Sequence, residues 1–187
     1  MASVRRIGTG VVALGLMLMP AASSLSRNAQ RRSPDTVRIE VAKKDRKLIV
    51  YSGRKAIRTY RIGLGANPTG PKARVGDGRT PEGDYYICGK NPHSRFYRSL
   101  ALSYPNVKDA EGGLQERRIT HAQYNQIARA IRKKRRPPWN TALGGEIFIH
   151  GNGSKTDWTL GCIALEDEAV RQLYHLAPVG TAVSIRP

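Results

Sequence analysis

The chain is short of the side chains that several kinds of chemistry need. Its 187 residues include only two cysteines, four histidines and two phenylalanines. The histidines at 93, 121 and 175 are scattered singly, whereas a metal centre needs several ligands at close spacing. The chain also lacks a Gly-x-Ser-x-Gly turn and a glycine-rich phosphate loop. These absences exclude a zinc site, a Ser/His/Asp hydrolase of that type and a phosphate-binding loop, so neither a metal nor a cofactor is predicted.

The N-terminus has the parts of an export signal. Arg5 and Arg6 precede a mostly apolar run over 7–19, and small residues follow it. The run is too short for a comfortable membrane span. Residues 1–26 are therefore predicted to be a signal peptide, with an uncleaved signal anchor as the alternative, and 27–36 a basic linker. We expect export to the periplasm or cell envelope and one domain over 37–187.

Patterning over 37–187 indicates a mainly β domain with two packed helices. Strands are predicted at 37–41, 47–51, 56–62, 84–88, 100–104 and 181–185. One helix begins at the capping box of Thr120 and stops before Pro137, and the second carries apolar residues over 170–177. The glycine- and proline-rich stretch 63–83 and the stretch 106–113 are predicted to be loops.

Residues 146–165 hold the candidate site. A short apolar run ends on His150, a polar glycine-rich loop follows, and the chain then reaches Gly161 and Cys162. Such an arrangement can bring a base and a nucleophile together, and an imidazole neighbour lowers a thiol pKa. Gly161 removes side-chain bulk beside the nucleophile, so that backbone N–H groups can face an oxyanion. The hypothesis is a Cys/His acyl-transfer enzyme; the alternative is coincidence, with Cys162 a small buried hydrophobe.

This stretch resembles the active-site signature of a known family. His150 and Gly151 form a pair upstream of a second group, which consists of Thr159, one further residue, Gly161 and Cys162. The pattern is similar to that of the L,D-transpeptidase catalytic domain, also called the YkuD domain. The likeness extends upstream to 80–83 and to the stretch from 91–92 through 104–106, and so covers most of the chain from about Val37 onward.

The resemblance implies a β-sandwich fold and a reaction on peptidoglycan stem peptides. Cys162 would attack the amide after diaminopimelate and release D-alanine, and an amine would take the thioester to make a cross-link or attach a protein. His150 would serve as general base and acid, with its ring oriented by the backbone of Gly151. Gly161 and the backbone N–H of Cys162 would hold the oxyanion, with Thr159 in support. The implied partners are stem peptides and a wall-attached lipoprotein.

Two departures from the common family pattern leave the acyl acceptor open. Leu160 stands where a second histidine is usual, and Ala164 where arginine or asparagine is usual. Both changes resemble a divergent branch that includes proteins acting on links between peptidoglycan and lipoprotein. Water as acceptor would make a hydrolase that trims stems or releases a wall-linked lipoprotein. An inactive, basic wall-binding module is the alternative from another class.

The second cysteine raises a further alternative. In an oxidising compartment Cys88 and Cys162 could form a disulfide, which would silence the nucleophile. Cys88 lies in a predicted strand, where burial as a free thiol is equally plausible. The sequence does not decide between these states, although the surroundings of Cys162 favour a free thiol.

Positive charge dominates, with 32 lysines and arginines against 14 acidic residues and a formal net charge of +18. A basic face attracts any polyanion, but no recognised nucleic-acid module accompanies it, so no nucleic-acid partner is predicted. For an exported protein, anionic envelope polymers, wall glycopeptide or a membrane surface are the fitting partners. A solvated face without a partner is the alternative. One dense cluster comprises Arg129, Arg132, Lys133, Lys134, Arg135 and Arg136.

Overall fold

The computed structural model describes residues 1–2 and 36–187, so the predicted export signal beyond Ala2 and all of the linker except Thr36 lie outside the described residues. The described part contains eight strands and three helices. The strands are β1 Val37–Ala42, β2 Lys47–Ser52, β3 Lys55–Arg61, β4 Gly83–Ser94, β5 Tyr97–Leu102, β6 Phe148–His150, β7 Ile163–Ala164 and β8 Ala182–Arg186. The helices are α1 Val107–Gln115, α2 His121–Arg132 and α3 Asp167–Leu176.

The strands form one mixed sheet in the order β3-β2-β1-β8-β4-β5-β6-β7. β1 runs parallel to β8 and β6 parallel to β7, whereas the other pairs are antiparallel. Just after β3, Gly63 and Gly65 bridge to Ala164 and Thr159 at the opposite end of the strand order. Because its two ends meet, the sheet curls around an apolar core that both halves share. The mainly β architecture with packed helices agrees with the prediction.

The structure has three helices rather than two, because α1 occupies the stretch expected to be a loop. Asn106 and Asp109 form a reciprocal capping box: the Asn106 side chain accepts from the Asp109 N–H at 2.9 Å, and Asp109 accepts from the Asn106 N–H at 2.8 Å. Gly112 and Gly113 disguise the helix in the sequence, since glycine disfavours helices. A Cβ on Gly113 would lie 2.6 Å from Leu143, so close packing explains that glycine.

The long segment 63–83 is held in place by a buried cation. Lys43, in the turn after β1, donates from Nζ to the carbonyls of Gly70 and Thr80 at 2.7 and 3.0 Å and to Glu82 at 2.7 Å. The hydroxyl of Thr80 in turn accepts from the Gly65 N–H at 3.0 Å. All three ammonium protons of Lys43 thus have acceptors, and the segment is fixed against the sheet although it has almost no secondary structure.

Within the described part of the chain, none of the helices has the length and apolarity that crossing a bilayer requires.

Replacing Lys43 with methionine should destabilise the domain by about 3 kcal/mol, because it leaves Glu82 and two carbonyls without their buried donor. Urea unfolding followed by circular dichroism measures the change. Lys44→Met is the matched control: Lys44 is an exposed neighbour, and its loss should stay within about 0.5 kcal/mol. Equal destabilisation by both variants would contradict the role given to Lys43.

Candidate active site

His150 ends β6 and is fixed on several sides. Its side chain is buried, with 2% of the residue exposed. The ring stacks on Phe96 with centroids 4.6 Å apart and meets the edge of Trp158 at 5.6 Å. Nδ1 lies 2.7 Å from the carbonyl oxygen of Gly151, which can only accept, so Nδ1 carries the proton and Nε2 of the neutral ring holds the lone pair. The imidazole is therefore oriented as a base.

Cys162 immediately precedes β7, the strand next to β6. The parallel pairing sets Ile163 beside Ile149 and Ala164 beside His150. The thiol Sγ lies 3.4 Å from the backbone N of Phe148 and 3.5 Å from the carbonyl oxygen of Glu146. Cys162 and His150 line the same cavity of about 520 Å³. The structure thus brings the two predicted catalytic residues to one site, and both cysteines are free thiols.

The turn before Cys162 needs its glycine. Gly161 has a φ of +130°, and a Cβ there would lie 2.6 Å from the carbonyl oxygen of Arg79. The Thr159 hydroxyl accepts from the Gly161 N–H at 3.1 Å and donates to the Cys162 carbonyl at 2.8 Å. The Gly161 N–H is consequently occupied. The Cys162 N–H has no acceptor among the described residues, which leaves it available to an oxyanion.

Gly151 is required by close packing rather than by its backbone angle. Its N–H donates to the carbonyl of Phe96 at 3.0 Å. A Cβ would lie 2.4 Å from the carboxylate of Asp167 and 3.0 Å from the same Phe96 carbonyl. Because residue 151 is glycine, the backbone after His150 can pass between the β4–β5 turn and the start of α3. The Gly151 carbonyl then points at the imidazole of His150.

Other residues of the cavity come from remote segments that sequence reasoning did not single out. Phe96 and Arg95 form the turn between β4 and β5, and Lys72 comes from the segment after β3. The buried Lys72 donates to Asp77 and to the Arg74 carbonyl, both at 2.8 Å. Nothing local in the sequence marks these residues, since the curling of the sheet brings them together.

The two departures from the common family pattern occupy different environments. Leu160 lies at the cavity mouth with 84% of its surface exposed, whereas Ala164 is fully buried in β7. The Ala164 N–H donates to the Gly63 carbonyl at 2.8 Å, in the bridge that closes the sheet. Leu160 can therefore touch a substrate, while Ala164 belongs to the framework.

Burial sets the protonation of Cys162 and His150. It raises the pKa of the Cys162 thiol to about 11, although the Phe148 N–H and the Lys72 and Arg95 charges act in the opposite direction. Burial also lowers the pKa of His150 from its ordinary value of 6.5, assisted by Arg95 and opposed by the Gly151 carbonyl. Both shifts disfavour charge, so the free protein holds a neutral thiol and a neutral imidazole. Here burial outweighs the thiol-acidifying effect expected of the imidazole.

Comparison with known proteins identifies the family. The model of the L,D-transpeptidase catalytic domain, YkuD, matches residues 36–185. The chain belongs to this family. It is 31% identical over 145 residues to "Putative L,D-transpeptidase YafK" of Escherichia coli, an alignment that covers 74% of this chain and 46% of YafK. The chain therefore spans about half the length of this relative.

Solved structures show the same fold. The helical cell shape determining protein Pgp2 of Campylobacter jejuni matches with a TM-score of 0.56 and 23% identity, covering 82% of this chain and 48% of that one. Bd1075 of Bdellovibrio bacteriovorus matches with a TM-score of 0.53 and 20% identity, with the same two coverages. An L,D-transpeptidase fold thus carries the Cys/His site, and members of this family act on peptidoglycan stem peptides.

The neutral pair of this L,D-transpeptidase domain predicts a slow reaction of Cys162 with a small alkylating reagent near neutral pH. In Cys88→Ala protein, the rate of iodoacetamide addition should rise about tenfold per pH unit until the thiol titrates near its pKa of about 11. Intact-protein mass measures the rate, with Cys162→Ala as the blank. A rate that has already levelled off by about pH 8 would show that the free protein holds a thiolate.

Proposed function

We propose that this protein is a peptidoglycan L,D-transpeptidase that works through an acyl-enzyme on Cys162. The observation that carries the proposal is the shared cavity: His150 lines it from the end of β6 and Cys162 from the residue before the parallel strand β7, with Nε2 of the imidazole left as the base. Membership of the family supplies the substrate class, the peptide stems of the wall.

In the first half-reaction, Sγ of Cys162 attacks the carbonyl carbon of the amide after diaminopimelate while Nε2 of His150 takes the thiol proton. The carbonyl oxygen becomes an oxyanion, and the Cys162 N–H donates to it. As the C–N bond breaks, His150 returns the proton to the departing nitrogen, and D-alanine leaves. The product is a thioester on Cys162 with the imidazole neutral again.

In the second half-reaction, an amine of a second stem or of a protein attacks the thioester carbon. His150 accepts the amine proton as the new C–N bond forms. The C–S bond then breaks, and the proton passes to the sulfur, restoring the thiol. The wall gains a cross-link or an attached protein.

The neutral resting pair fits this sequence. Because burial disfavours an isolated thiolate, proton transfer to His150 has to accompany the attack rather than precede it. The thiol then resists stray alkylation and oxidation, which require the thiolate. A substrate that fills the cavity and offers its carbonyl to the Cys162 N–H stabilises the charge only as it develops.

The proposal places the protein in the cell envelope, delivered by the predicted export signal within residues 1–26. The predicted linker over 27–36 then separates that signal from the catalytic domain. With 32 basic against 14 acidic residues, the chain is also suited to an anionic envelope polymer.

The test incubates the chain lacking residues 1–26 with tetrapeptide-bearing muropeptides and records intact-protein and product masses. A covalent adduct on Cys162 and cross-linked dimers are expected. Cys162→Ala should abolish both, and His150→Ala should slow adduct formation by about 10²- to 10⁴-fold. Cys88→Ala is the matched control, since it removes the other thiol and should leave the adduct in place.

Two other results would replace the proposal. Shortened stems without dimers, even with an added amine, would identify a hydrolase that uses water as acceptor. With both thiols shown to be reduced, the absence of any adduct or turnover would contradict the enzyme on these substrates and favour a wall-binding module. Such a module would bind sacculi equally well with Cys162→Ala.

A further inference from the structure

A second cavity, of about 430 Å³, lies beside the catalytic one. It is called the trough here and is lined by Cys88, Gly89, Lys90, Asn91, Ser99, Ala101, Arg136, Trp139 and Phe148. The strand registers align Gly89, Ala101 and Phe148 in one row across β4, β5 and β6, and Ser99 and His150 in the next row. The floor of the trough is therefore the same face of the sheet that carries His150.

The trough meets the catalytic cavity at Phe148. Phe148 lines both the trough and the catalytic cavity. The backbone N of this residue lies 3.4 Å from Sγ of Cys162. The small residues of the floor, Gly89, Ser99 and Ala101, leave room above the sheet for an extended chain to approach that point.

Aromatic and cationic side chains form the wall of the trough. Trp139 meets Phe148 edge to face with ring centroids 5.6 Å apart, and the Arg136 guanidinium lies 4.7 Å over the Trp139 ring. The other cation, Lys90, is committed elsewhere, since its Nζ bonds the Tyr174 carbonyl. No aspartate or glutamate is among the described residues of the lining. Arg136 is exposed and makes no ion pair within the described residues, so it can receive a carboxylate.

The outer part of β4 offers a backbone edge beside the trough. β8 pairs with β4 only as far as Tyr86, while β5 pairs with the other edge. Among the described residues, no strand pairs with the remaining edge of Gly89–Ser94. An extended peptide can add to such an edge through main-chain hydrogen bonds.

We propose that the trough binds the acyl acceptor, an extended peptide that presents its amine toward Cys162 and a free carboxylate to Arg136. The proposal rests on the transpeptidase function above. That reaction joins two peptides, and the catalytic cavity is filled by the acyl group of the first. The second must bring its amine to the thioester close to His150, which removes the amine proton as the C–N bond forms and the C–S bond breaks.

Occupancy can be tested without catalysis, because Cys88 is a natural probe in the trough. In Cys162→Ala protein, Cys88 is the only thiol. A disaccharide-tripeptide, which carries both an amine and carboxylates, should slow N-ethylmaleimide addition to Cys88 about fivefold at saturation. Adding Arg136→Ala should raise the tripeptide concentration that gives half protection about tenfold, as expected for the loss of one charge-assisted contact. Arg132→Ala, which removes an exposed cation outside the trough lining, should not change it.

Each protection factor compares one variant with and without ligand, so any effect of Arg136 on the thiol pKa cancels. No protection at saturating tripeptide would overturn the proposal. So would equal weakening by Arg132→Ala, which would indicate general attraction to the basic surface rather than binding in the trough.

The effect of the trough on catalysis is measured as the ratio of cross-linked to hydrolysed product formed from the acyl-enzyme. With the disaccharide-tripeptide as acceptor, Arg136→Ala should lower the ratio of cross-linked to hydrolysed product about tenfold. With methylamine, which has no carboxylate, the ratio should match that of the wild type. An equal loss with both amines would contradict acceptor binding at Arg136. If the wild type forms no acyl-enzyme, the transpeptidase function fails, whereas protection of Cys88 is still measured independently.

Discussion

The pairing of β6 with β7 is the contact on which the site depends. β7 has only two residues, yet one edge pairs with β6 and the Gly63–Ala164 bridge holds it to the segment after β3. This short parallel contact sets Cys162 beside the backbone of Phe148, one strand from His150. The fixed segment after β3 brings the Arg79 carbonyl against Gly161. A side chain at Gly161 would disturb the turn, the bridge and the thiol together.

The sequence predicted the part of the candidate site whose residues lie close together in the chain. His150, Thr159, Gly161 and Cys162 fall within one short stretch, where glycine and polar spacing follow from local geometry. Phe96 and Lys72 could not be found in this way, because they reach the cavity only through the hairpin turn and the curling of the sheet. Pairing across distant segments is set by burial and register, which local periodicity does not contain.

The fold shows the same division. The alternating apolar pattern predicted the opening strands and the mainly β class, since one face of each strand is buried. Helix α1 was missed because its capping box and its contact with Leu143 outweigh the low helix propensity of Gly112 and Gly113. The disulfide alternative depended equally on tertiary placement: Cys88 lines the trough, Cys162 lines the catalytic cavity, and both are free.

The positive side chains of the two cavities fit the proposed reaction between two peptides. In the cavity that Cys162 and His150 line, the buried ammonium of Lys72 is paired with Asp77, whereas Arg95 is exposed and makes no ion pair within the described residues. In the trough Arg136 is likewise exposed, and its guanidinium lies 4.7 Å over the Trp139 ring. An arginine held in this way loses little freedom when it binds a carboxylate. Burial keeps the thiol and imidazole neutral where covalent chemistry is proposed, and an exposed cation lies in the trough, where the proposal places the second peptide. In the proposed reaction, charge steers the approach of the second peptide, and proton transfer at His150 governs its attack on the thioester.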